Sequence, residues 1–259
     1  MFDLKTLAIV SIIAFQPIVS VASAQNPNTL DWATVNVTLE KSEITMHEPV
    51  ILDIEITNRS TTTVTFDPGY DDENIDLNVV APDGTTHSLA RTPRQNGLKF
   101  SNAIHVEPGQ TGTVSLALAR WFNFDAQGKY QITLTILSKA GGDVGFTKSL
   151  QRSFTVDVLP ANEAELIAEC SDLLARINES KSFATSLVAA QSLESIQDPA
   201  VVPFLAKAMA RKEFASGMIS ALVRLKTESA ISALKAATKS PDVETSGMAQ
   251  SALSSLSTR

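Results

Sequence analysis

Residues 198–226 read DPAVVPFLAKAMARKEFASGMISALVRLK, and residues 227–257 read TESAISALKAATKSPDVETSGMAQSALSSLS. The second stretch repeats the first. Val202/Leu205 return 29 residues later as Ile231/Leu234, and Ser216-Gly217-Met218 returns 30 later as Ser246-Gly247-Met248. Leu193/Ile196, Leu222/Leu225 and Leu253/Leu256 recur at offsets of 29 and 31. Each copy carries two apolar stripes at helical spacing. A helix pair that cannot bury both stripes alone must lean on the next pair, and successive pairs then present an extended surface.

Working upstream, the period of about 3.6 begins at Pro160. Asn162 followed by Glu165 has the spacing of a capping box, which supplies partners for the free N–H groups of a helix start. A helix then runs through Leu166, Cys170, Leu173 and Ile177, and a second carries Leu187, Ala190, Leu193 and Ile196. Asp198-Pro199 is an N-cap followed by proline in the first turn. The stretch from Asp198 to Leu205, with Val202 and Pro203 in place, resembles HEAT and lyase-type HEAT-like repeats, while Thr227 and Ser232 depart from that pattern. The resemblance implies a short α-α solenoid over residues 160–259 that holds another protein.

The residues before Pro160 have period two. Val35, Val37 and Leu39 alternate with polar neighbours, and Pro49 opens a strand carrying Ile51, Ile54 and Ile56. Further strands are expected at 61–66, 75–80, 86–90, 103–106, 113–118, 130–137 and 153–158, with Pro82-Asp83-Gly84 and Pro108-Gly109 as turns. Many short strands without intervening helix predict an antiparallel sandwich over residues 32–159. Asp125-Ala126-Gln127-Gly128-Lys129-Tyr130-Gln131-Ile132 resembles the immunoglobulin-type pattern that leads into strand F. That resemblance implies an Ig-like domain whose tyrosine hydroxyl bonds back to the backbone. Ile132 stands where antibody domains carry a cysteine, so no bridge is implied. The run from Glu48 to Leu52, then Thr57-Asn58, is also similar to bacterial Ig-like and protease-inhibitor-like sandwich domains. The fold class expected is therefore multidomain all-β plus all-α: an Ig-like antiparallel β-sandwich followed by HEAT-like helical repeats.

Residues 1–24 read as a secretory signal peptide. Lys5 precedes an apolar run, and Ala22-Ser23-Ala24 places small residues where a signal peptidase cuts. Residues 25–31 then form a linker, and the mature protein is expected to be exported, periplasmic or extracellular. No later stretch is apolar enough to span a bilayer. The net charge is −7, with sixteen acidic against ten basic residues between 25 and 159. Such a surface repels phosphate backbones, so nucleic acid is not an expected partner. Cys170 is the single cysteine, so no internal disulfide forms, and its helical neighbours mark it as a small core residue.

Chemistry is sparse. No G-x-S-x-G, H-E-x-x-H, P-loop or G-x-G-x-x-G occurs, so the expectation is no enzyme and no cofactor. His47, His87 and His105 lack ligand spacing. The acidic stretch containing Asp67, Asp71, Asp72, Glu73 and Asp76 offers carboxylates for a calcium loop, although it does not match the EF-hand. Trp121-Phe122-Asn123-Phe124 reads as core ahead of a sugar or peptide platform. Lys207, Arg211, Lys235 and Lys239 near the ends of the first-type helices would form a face for an acidic partner. Asn36, Asn58 and Asn178 match glycosylation acceptors. The function expected is non-catalytic protein binding as a scaffold or adaptor. The alternatives are a protease-inhibitor-like sandwich acting through Arg91, Arg94 and Lys99, or a calcium- or carbohydrate-binding module.

Overall fold

In the computed structural model, residues 28–29, 32–68, 74–88, 103–137, 140 and 149–257 are described. Strands fill the first part: β1 (Asn28–Thr29), β2 (Ala33–Leu39), β3 (Glu43–Thr45), β4 (Ile51–Asn58), β5 (Val64–Phe66) and β6 (Ile75–Val80). They continue as β7 (Thr86–Ser88), β8 (Ile104–Val106), β9 (Thr111–Ala117), β10 (Gly128–Ile136) and β11 (Leu150–Leu159). One sheet has the order β1-β2-β4-β9, a second β3-β11-β10-β6-β7, and β5-β8 form a small ribbon. The alternation in sequence is the alternation in burial. Ile54 and Ile56 point inward while Asp53 and Glu55 between them reach Ser115 and Asn36 on neighbouring strands. Leu77, Ile132, Leu134 and Ile136 of the second sheet join Val35, Leu52, Ile54 and Leu116 of the first in one core. Each such side chain contributes about 1.5–3 kcal/mol on burial.

Two short strands escaped the sequence reading. Asn28–Thr29, inside the stretch read as linker, pairs with Val35 and Thr34. Glu43–Thr45 runs parallel to Asp157–Leu159, so the expectation of purely antiparallel pairing needs correcting. Three residues are too few to show a period, and their partner lies more than a hundred positions away. Backbone bonds from Asp157 N to Ser42 O (2.9 Å) and Met46 N to Leu159 O (3.1 Å) extend this pairing.

Two buried polar groups fix corners of the β part. Tyr130 is buried, and its hydroxyl accepts from Ala126 N–H at 3.0 Å, the back-bond implied by the D-x-x-G-x-Y pattern. Gly128 makes the approach with φ 125, a region favouring glycine. Phe122, Phe124 and Tyr130 meet edge-on with centroids 5.1–5.7 Å apart, so this aromatic run belongs to the core. Asn58, fully buried, donates to Thr62 O and Val106 O and accepts from Ser60, joining β4 to the ribbon. Those bonds occupy Asn58 and remove it as a glycosylation acceptor.

Six helices follow among the described residues: α1 (Glu163–Glu179), α2 (Phe183–Ser195), α3 (Val202–Ala208), α4 (Lys212–Leu225), α5 (Glu228–Ala237) and α6 (Val243–Ser257). Their starts follow the capping chemistry of the sequence. Asn162 accepts from Ala164 N and Glu165 N, Ser182 from Thr185 N, Asp198 from Ala200 N and Thr227 from Ala230 N. Lys226 ends α4 in the left-handed conformation, φ 56. The contacts run in sequence order: α1 on α2, α2 on α4, α4 on α6 along one side, and α1 on α3, α3 on α5 along the other. Leu193 and Leu222, like Leu205 and Leu234, are fully buried at matching places, whereas Leu253 and Leu256 in the last helix are half-buried.

The two parts are not independent. Ile51 and Ala117 of the first sheet belong to the helical core, and α2 lies against β9 and the turn Leu118–Arg120 that follows it. A helix packed on several sides must bury most of its circumference. That explains why Ala189, Ala190, Gln191, Ser192 and Leu193 are consecutively buried.

Candidate functional site

The seam between the two parts holds an open cleft of about 550 Å³. It is built on the tight turn after β3. His47 adopts φ 77, and the Glu48 carboxylate closes the turn by accepting from Thr45 N at 3.1 Å and from Thr45 Oγ1. Glu48 also accepts from Lys41 Nζ at 3.3 Å, and the same ammonium pairs with Glu169 on α1. Beside it, Arg176 binds Glu40 at 2.6 Å and Asp172 at 2.7 Å. With Glu43 and Glu165 on the rim, six carboxylates face two cations. Burial disfavours the Lys41 charge most, yet Glu169 and Glu48 together hold it above its ordinary value. Arg176 follows the same logic, with Glu40 and Asp172 outweighing its desolvation.

This arrangement is a fastener. Lys41 bridges both buried carboxylates, which ties the Glu48 turn to α1. Cys170 lies behind them, fully buried. Burial first, then Glu169 and Asp198, pushes its thiol up to about 12, so it is not a nucleophile at neutral pH. The sequence reading missed this junction because its members come from residues 40–48 and 165–176, and no short-range spacing links them.

The basic residues singled out on the helices separate into two kinds. Arg211 is tied down: it donates to the Ile177 carbonyl, pairs with Glu213, and lies 5.5 Å from the Phe214 ring centre. It closes the end of α1 and does not belong to a free cationic face. Lys207, Lys235 and Lys239 are exposed, Lys207 with its ammonium 6.0 Å from the Phe204 ring centre. Of the acidic stretch, Asp67 and Asp76 are described, while Asp71, Asp72 and Glu73 lie outside the described residues. Among the described residues no cluster of three or more metal-binding side chains exists, and the three histidines do not converge. Arg91, Arg94 and Lys99 also lie outside the described residues, as do residues 1–27.

On the helical part, a trough of about 460 Å³ opens between α4 and α6, floored by Ile219, Gly247 and Met248 and rimmed by Val243, which is 85% exposed. The preceding groove, between α2 and α4, is filled instead. A methyl group on Gly217 would collide with the Glu194 carboxylate, whereas nothing lies near Gly247 at the matching position. Successive pairs are also bolted together: Arg224 donates to the Glu194 carbonyl, and Lys212 binds Asp242 at 2.6 Å. Asp242 caps α6 through Thr245 as well. Lys212, then Thr245, draws its carboxyl down to about 2. Among the described residues, no helix is long and apolar enough to cross a membrane.

No family model matches the chain, and no curated protein matches it. Solved structures share parts of its outline at low similarity. A β-glucosidase from Listeria innocua in complex with isofagomine is 14% identical over 49% of this chain, with a TM-score of 0.29. The chain covers only 16% of that enzyme. The sporulation control protein Spo0M from Bacillus subtilis is 15% identical, covering 55% of this chain and 56% of its own, with a TM-score of 0.28. A CARDB domain from Pyrococcus furiosus in complex with di-metal ions is 11% identical, covering 51% of this chain and 92% of its own, with a TM-score of 0.28. The chain's own elements give a β-rich first part and a helical second part.

Proposed function

We propose that the protein is a non-catalytic protein-binding scaffold or adaptor of the cell envelope or extracellular space. In this reading residues 32–159 are an Ig-like β-sandwich and residues 160–259 a short solenoid of HEAT-like helix pairs. Residues 1–24 are a signal peptide removed on export. The Tyr130 back-bond and the core shared by both sheets support the sandwich. Contacts between helix pairs in sequence order, with Leu193 and Leu222 at matching depths, support the solenoid.

The observation that carries the binding reading is the open trough beside Gly247. The groove one pair earlier is filled from within the chain, and this one is bare, with Val243 standing in solvent at its rim. Exposed apolar surface on the last pair of a stack is a site for a partner. The test is affinity capture with the full chain, because Ile51 and Ala117 complete the helical core and an isolated helical fragment would lose them. A partner held by the native chain and lost from Val243→Asp supports the proposal. Equal capture by both chains, or by neither, rejects it. Export is tested separately by the mass of the mature chain, which begins at Gln25 if the signal peptide is cut there.

A further inference from the structure

The helix pairs stop at α6 without the face that an end of a stack normally carries. A terminal pair stays soluble by turning polar and charged side chains outward. After Glu244, the stretch Thr245–Ser257 of α6 carries no charged residue. Val243 at its start is 85% exposed, and a methyl group added at Gly247 would meet nothing within 4 Å. Leu253 and Leu256 stand at the repeat positions that Leu193, Ile196 and Leu222 hold in earlier pairs. Those three are buried, whereas Leu253 and Leu256 stay half-buried in the last pair. Surface depleted of charge with apolar groups standing out of it has the character of an interface centre.

Charge and symmetry select what covers this surface. Of the residues lining the trough between α4 and α6, Glu244 alone is charged, so an unlike partner of either sign finds little to pair with. The chain has a net charge of −7, and two copies repel except where they meet over uncharged surface. A two-fold contact also demands a self-complementary face. Helices α4 and α6 run side by side in the same direction, their starts joined by Lys212 and Asp242. Antiparallel pairing of α6 with α6 of a second copy, about an axis between Gly247 and Ser251, satisfies that demand. It sets Val243 of each copy over the small side chains at the far end of the other helix, and it covers Ile219 and Met248 on the trough floor. Glu244 is then directed toward the C-terminal end of the other copy's α4. Lys226 is exposed there, and neither it nor Glu244 forms a salt bridge among the described residues.

We propose that the trough between α4 and α6 is the contact surface of a reversible homodimer, with α6 packed antiparallel on α6 of a second copy. This names the occupant of the docking trough and rests on that reading. The 15 residues of α6 make the face about 22 Å long, and two helices make it about 20 Å wide. Two copies would bury about 900 Å² in total, which is the size of a weak, exchanging contact.

Sedimentation equilibrium of the purified full chain, from about 1 to 500 µM, tests this with a monomer–dimer equilibrium expected at a Kd of about 10–100 µM. Val243→Asp alters a side chain in solvent, so Tm stays unchanged, and the dimer weakens roughly tenfold or more because symmetry places the carboxylate at the contact twice. Gly247→Leu enters open space in the single chain and improves helix propensity, so Tm is unchanged or higher while the dimer weakens comparably. A monomer at the highest concentration overturns the proposal, as does a dimer that both substitutions leave intact. A monomeric chain that still captures an unlike protein, and loses it on Val243→Asp, removes the second copy as occupant while the docking reading stands. A monomeric chain whose captures are unaffected by Val243→Asp overturns both.

Discussion

Replacing Lys41 with methionine keeps the aliphatic stem and deletes the charge that bridges the two parts. The Glu48 and Glu169 side chains beside it are 5% and 8% exposed, whereas Lys41 is 47% exposed. Removing one partner of a fully buried ion pair costs about 3–5 kcal/mol, since the remaining charge stays desolvated. Water reaching the half-exposed lysine site offsets part of that, and the expected loss is about 2 kcal/mol at pH 7. For a chain of this size that lowers Tm by about 4–8 °C. Urea titration and thermal melts followed by circular dichroism read it directly. The pH dependence separates electrostatics from packing. Lys41 has its folded value raised above 10.5. Its contribution is therefore complete below pH 10.5 and lost as pH rises through the folded value, where the two proteins converge. A deficit below about 0.5 kcal/mol at pH 7, or one that persists as pH rises through the folded value, refutes the fastener.

Leu222→Ala, at a fully buried position in the seam between helix pairs, should cost about 2–5 kcal/mol in denaturant unfolding; a surface-like cost would mean that the seam is not packed. Because Ile51 and Ala117 belong to the helical core, that loss should appear in a single transition monitored by either part, and two separated transitions would contradict the shared core. Cys170 should stay inert to thiol reagents at neutral pH in the native chain and react fully in denaturant, given its burial and a thiol pushed up to about 12. For Asp242→Asn the sign is that of a depressed carboxyl: the stabilisation from Lys212 and Thr245 is present above about pH 4 and lost as pH falls toward 2. The Tm gap between native and variant chains should close over that interval, and a gap that persists at pH 2 would remove the Lys212 pair as its cause.

The sequence by itself determined the elements whose physics is local. Period-two alternation at Ile54 and Ile56 made a strand because only that spacing puts one face in the core. Asn162 and Asp198 marked helix starts because their side chains satisfy backbone donors two or three residues on. The Tyr130 back-bond was legible for the same reason, spanning four residues. Tertiary structure alone decided what depends on distant pairs: the parallel pairing of β3 with β11, the Lys41 bridge between Glu48 and Glu169, and the diversion of Arg211 to the Ile177 carbonyl. It also decided that Gln191, an ordinary polar residue in a helical sequence, is buried at the junction. Burial depends on what the fold brings against a residue, and no residue's own neighbours in the chain carry that information.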